Sequence, residues 1–120
     1  MNSRDRTHPS SALPLTHVAF HVLVALSTKN RHGYGILRHV SERTDGRVEL
    51  EAGSLYAAIK RMREEGWIVE LTSRPGESSR RRTYSITKLG REILEAESRR
   101  LESMVRLAQE ARVLPRPGQG

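Results

Sequence analysis

Three groups of residues carry side chains that could act on something outside their own fold. The first is RPGESSRRR, residues 74–82, where Arg74, Arg80, Arg81 and Arg82 face a single acid, Glu77. Guanidiniums clustered without an apolar anchor suit contacts to phosphate, or insertion into the narrow, electronegative minor groove of a duplex. The plainer reading is a solvated loop, which would need no clustering of one sign. The second group lies in GSLYAAIKRMREEGW, residues 53–67, where Ser54, Tyr56, Lys60, Arg61 and Arg63 are set among Leu55, Ile59 and Met62. A tyrosine near arginines could in principle attack a phosphodiester. The chain has no glycine-rich phosphate loop and no paired carboxylates placed for acid–base work, so docking is expected and an enzyme is not. The third group is His17 and His21, one helical turn apart, which could share a divalent cation through imidazole nitrogens. No third ligand accompanies them, so neither a metal nor another cofactor is expected.

The totals restrict what these groups can serve. A chain of 120 residues with 36% hydrophobic content favours one domain and a small core that a partner subunit could supplement. Twenty-one Lys and Arg against fourteen Asp and Glu leave a net charge of +7, the footprint of a protein that meets polyanions. Without cysteine there is no disulfide, thiolate zinc site or thiol nucleophile. The longest apolar run, VAFHVLVAL at 18–26, falls well short of the roughly 20 residues that span a bilayer and lacks the layout of a cleavable signal. The expected location is cytoplasmic, with no membrane partner.

Periodicity places the groups on elements. Residues 1–14 are polar and aperiodic and read as a flexible N-terminal arm. From Thr16 to Thr28 apolar residues occupy most of the helical circumference, which predicts a central helix. NRHGYG, residues 30–35, breaks it, and Ile36, Leu37 and Val40 restart helical spacing until Asp45 and Gly46. RVELE, residues 47–51, suggests a short strand with Val48 and Leu50 on one side. A third helix is predicted from Gly53 to Glu65, with Gly66 at its C-terminal cap. The period then becomes two in WIVELTS (67–73) and RTYSIT (82–87), and Pro75-Gly76 between them makes an antiparallel hairpin. Thr87 suits an N-cap for a last helix over 88–113, ahead of a disordered tail at 114–120. In that helix Leu94, Leu101 and Ala108 recur every seven residues, as do Met104 and Ala111, with Val105 beside them. Such a seam reaches beyond a compact body and calls for a partner helix, making those six residues the dimerisation candidates.

The order of elements is that of a mainly α (α+β) winged helix-turn-helix domain over 15–87, with a two-stranded wing and a long C-terminal dimerisation helix at 88–113. At 100° per residue the third helix turns Leu55, Ala58, Ile59 and Met62 inward and Gly53, Ala57, Lys60 and Glu64 outward. Ser54, Tyr56, Arg61 and Arg63 flank them. A small, basic outer face suits entry into the major groove. The DNA-binding candidates are therefore Gly53, Ser54, Tyr56, Ala57, Lys60 and Arg61, with Arg80, Arg81 and Arg82 in the wing. Tyr56 could instead belong to the margin of the core, and Glu64 and Glu65 would meet phosphate poorly, which assigns contact to the first half of the helix.

HGYGI (32–36), GSLYAAIKRMREEGWI (53–68) and RRRTYSITKLG (80–90), in that order and spacing, resemble the PadR family of bacterial transcriptional regulators over about residues 15–113. The third-helix motif is the specific part. The resemblance implies a homodimeric winged-helix repressor of the short-tailed subgroup that binds double-stranded operator DNA and responds to a small-molecule or stress signal. It also implies an effector pocket between first and last helices of the two subunits, for which His17, Phe20, His21, Val24, Leu101 and Met104 are the candidates. Lys88 and Ala57 depart from the family's common prolines; the second change is tolerated early in a helix. The rival is a winged-helix module that binds a protein, which would show little of the salt dependence that counterion release imposes on DNA binding.

Overall fold

The computed structural model describes residues 8–71 and 82–118, which form four α-helices and a three-stranded antiparallel sheet. Helix α1, His17–Thr28, starts where the Thr16 hydroxyl accepts the Ala19 N–H at 3.1 Å. Its nearly all-round apolar sequence has the consequence expected of it: Val22, Leu23, Ala25 and Leu26 are fully enclosed, and the three later helices and the last strand of the sheet pack on the helix.

The chain leaves α1 through β1, Arg31–His32, and enters α2, Gly33–Arg43. Here the sequence reading is corrected. Residues 47–51 form no strand, and the third strand of the sheet is the stretch read as a helix break. A strand needs a partner edge: Arg31 and His32 lie opposite Tyr84 and Thr83, whereas Val48 and Leu50 only rest half-buried against the core. Arg31 also ties the strand to α1, donating from Nε to the Ala25 carbonyl at 2.8 Å and from Nη2 to the Thr28 hydroxyl at 3.0 Å.

Helix α3, Ala52–Glu64, begins one residue before the expected start and buries Leu55, Ile59 and Met62. It stops as its glycine requires. Gly66 has φ +82° and donates to the Arg63 carbonyl, while Trp67 N–H reaches back to the Met62 carbonyl at 2.9 Å, the double bond of a Schellman end. Strands β2, Ile68–Glu70, and β3, Thr83–Ile86, then pair with Ile68 opposite Ile86 and Glu70 opposite Tyr84. Thr87 accepts the Gly90 N–H at 3.0 Å and opens α4, Lys88–Glu110. Gly90 is needed at that point, because a methyl group there would run into the Trp67 carbonyl.

Two terminal expectations change. Of the supposed loose arm, residues 8–14 are described and held: Pro9–Ala12 forms a 3-10 turn against α4, Ala12, Leu13 and Leu15 pack on the core, and Leu15 N–H donates to Glu97 Oε2 at 3.0 Å. Few polar residues in that stretch need solvent, and three apolar ones gain cover. Glu97 is buried within the fold yet charged, since bonds from Arg100 and Leu15 N–H together hold its carboxyl below the usual range. At the other end α4 stops at Glu110, three residues before the expected 113; Arg112 has φ +63°, and Gln109 holds the Pro115 carbonyl at 3.2 Å.

Candidate nucleic-acid interface

The α2–α3 pair and the β2–β3 ladder carry the described DNA-binding candidates. On α3, Gly53, Ser54, Ala57, Lys60 and Arg61 are exposed along one side while Leu55, Ile59 and Met62 anchor the other. The surface near the start of α3 is therefore small and open. Neither α2 nor α3 receives a side-chain cap, and neither has an acid in its first turn, so the amides and dipoles at both N-termini remain available to an anion.

Tyr56 is half-buried, and the structure gives it a packing role. Its ring lies over buried Gly33 at the start of α2, so close that a methyl on that glycine would overlap the phenol. The core-margin reading thus describes the ring, while its hydroxyl edge reaches the α2 N-terminus. One residue on, Tyr34 is 61% exposed at the head of α2. Sequence reasoning missed it. The available signal was a large aromatic between two glycines in a segment otherwise needed only to change direction.

At the wing, Arg82 is described, and Arg74, Arg80 and Arg81 lie outside the described residues. Arg82 Nε stands 3.5 Å from Glu70 Oε2, and Arg63 Nη1 of α3 stands 3.3 Å from Glu70 Oε1. Glu70 was read only as one member of an alternating strand; its two cations come from elements 7 and 12 residues away, a proximity no local period reveals. Opposite it, buried Tyr84 has its phenol raised by burial first and by the Glu70 carboxylate second, and so stays neutral.

The remaining candidates separate by position. Of the dimerisation set, Leu94 packs on its own core, Leu101 and Ala108 are half-covered, and Met104, Val105 and Ala111 are exposed. Leu107, outside that set, is 64% exposed on the same distal half of α4. On α1, the His17 and His21 rings meet edge to face with centroids 4.6 Å apart, and Phe20 stands edge-on to His21 at 5.6 Å. Burial, then the neighbouring His17, lowers the His21 pKa. Among the described residues no three histidine or carboxylate side chains gather as a metal site. A cavity of about 200 Å³ lies between Leu15, Thr16, Ala19, Ala58, Arg61 and Trp67, and none of the six expected effector residues lines it.

A helix pair of this kind, followed by a sheet hairpin and a long terminal helix, defines a winged helix-turn-helix protein. The comparisons with known proteins narrow the class. Residues 22–96 match the model of the transcriptional regulator PadR-like family, and the chain belongs to that family. It is similar to a PadR family transcription regulator from Clostridium difficile R20291, with 26% identity and a TM-score of 0.67 over 79% of this chain and 97% of that one. It shares the fold of Bacillus subtilis PadR, solved in complex with operator DNA, at 22% identity and a TM-score of 0.60 over 69% of this chain and 47% of that one. It shares it also with Bordetella bronchiseptica BpsR, whose DNA binding is regulated by 6-hydroxynicotinic acid, at 17% identity and a TM-score of 0.65 over 96% of this chain and 76% of that one. Among the described residues no helix is long and apolar enough to cross a membrane.

Proposed function

We propose that the chain is a homodimeric, sequence-specific DNA-binding repressor whose operator affinity responds to a small molecule or a stress signal. The observation that carries the reading is the exposed Gly53–Lys60 side of α3, small and uncapped at its start and continuous with the cationic base of the wing. The first half of α3 enters the major groove, where Ser54 and Lys60 reach phosphates or base edges and Gly53 and Ala57 permit close approach. Tyr56 positions α3 on α2, and Tyr34 adds a phenol on the backbone side. Arg80, Arg81 and Arg82 grip the flanking phosphates or minor groove. Two protomers joined through α4 would address half-sites about one helical turn, roughly 34–36 Å, apart and exclude polymerase.

Operator binding by Bacillus subtilis PadR and ligand regulation of BpsR support carrying both properties to this chain. The effector site is assigned to the junction of α1 and α4 at the dimer interface, through His17, Phe20, His21, Val24, Leu101 and Met104. Footprinting on the DNA upstream of the protein's own gene tests the reading, with the salt concentration varied. A protected, roughly palindromic site whose affinity falls steeply with salt is expected. Salt-insensitive association with a protein and no protected DNA would replace it with the protein-binding alternative.

A further inference from the structure

We infer that Glu70 is a specificity-determining residue: by holding Arg63 and Arg82 it withholds two guanidiniums from arbitrary phosphates and fixes the wing relative to the reading helix. The inference rests on the DNA-binding reading above. Glu70 ends β2 with its side chain 18% exposed, against 42% for Arg63 and 40% for Arg82. One carboxylate therefore joins the last turn of α3 to the residue that enters the wing's return strand. Lys60, Arg63, Glu64 and Glu70 line one groove between α3 and β2, so the cluster adjoins the outward side of the reading helix.

The form of the contact matters. Arg63 Nη1 lies 3.3 Å from Oε1, yet that buried oxygen accepts no hydrogen bond from the described residues. The attraction is ionic without directed bonds, so each guanidinium stays beside the carboxylate and keeps its N–H groups free for a phosphate that arrives in the right place. On arbitrary DNA the carboxylate cancels one of the two cationic charges and repels the backbone, which weakens binding independent of sequence. On the operator, docking of α3 brings the two arginines to phosphates at a fixed separation. Discrimination of this kind works by penalising the wrong partner.

The test uses the full-length protein and its near-isosteric variant Glu70→Gln, with the footprinted operator and a scrambled duplex of equal length. The variant should bind the scrambled duplex several-fold more tightly and the operator no more tightly, with a salt slope on scrambled DNA steeper by about one to two. Glu64→Gln, at an exposed acid of the same groove with no arginine pair among the described residues, should strengthen both duplexes by one common factor. Equal change on both duplexes for Glu70→Gln would overturn the inference, as would an identical loss of discrimination in Glu64→Gln. Adding Arg63→Ala and Arg82→Ala should abolish the effect of Glu70→Gln; persistence of the effect in that background would also overturn it. A wild-type protein that binds neither duplex would instead defeat the DNA-binding reading itself.

Discussion

Helices α3 and α4 each bury one side and expose the other, but what they expose is opposite in character. α3 turns Gly53, Ser54, Ala57, Lys60 and Arg61 to solvent, whereas the distal half of α4 turns out Met104, Val105 and Leu107 at 52%, 45% and 64% exposure. A polar, basic face is stable in water until a polyanion replaces the solvent. An apolar face on a helix that leaves its domain lowers its free energy by finding another apolar face. The contrast fits the proposed partners, DNA for α3 and a second copy of the chain for α4.

The largest effect is expected at α4. Leu101→Glu should convert the dimer to monomers in sedimentation, and a persistent dimer would place the interface elsewhere. Next in size is the contrast between buried and exposed leucines. Leu55→Ala should cost about 2–5 kcal/mol in urea unfolding because a close-packed core cannot refill the space. Leu107→Ala, measured in a monomeric background, should stay within about 0.5 kcal/mol. On α3, Lys60→Ala should cost about 1–3 kcal/mol of operator binding if the lysine reads a base. Replacing Arg80 and Arg81 with Ala should weaken all sequences alike and flatten the salt slope, and unchanged binding in both sets would end the assignment of α3 and the wing to DNA.

The smallest effect expected is on pH dependence. Burial, and after it the neighbouring His17, lowers the His21 pKa in the folded protein, so the fold favours the neutral ring. Stability from this source is present above the unfolded pKa and declines as pH falls below it, because the unfolded chain binds the proton more readily. Thermal melts between about pH 7.5 and 5 should show a decline that His21→Gln reduces; an equal decline in both would remove His21 from the account.

Much of this was legible along the chain because it is local. The 3.6-residue period separated Leu55, Ile59 and Met62 from Lys60, Gly66 announced the end of α3, and the change to period two announced β2 and β3. The reading went wrong where strand identity depended on a distant edge: Val48 and Leu50 have a strand-like pattern, but the free edge of β3 is filled by Arg31 and His32. Leu94 likewise fits the seven-residue seam, and only the placement of α4 on the body shows that it faces its own core.

The order of the four helices and of the two wing strands, the basic excess and the motif that marks the family were legible in the chain, since each is written within a few turns of it. The tertiary structure alone decided which charges meet and which segments are held. Leu15 finds Glu97 across 82 residues, and Glu70 gathers Arg63 and Arg82 because an antiparallel ladder and a Schellman turn fold their elements onto one another. Charge contacts depend on separation in space, and periodicity reports only the side of an element on which a residue stands.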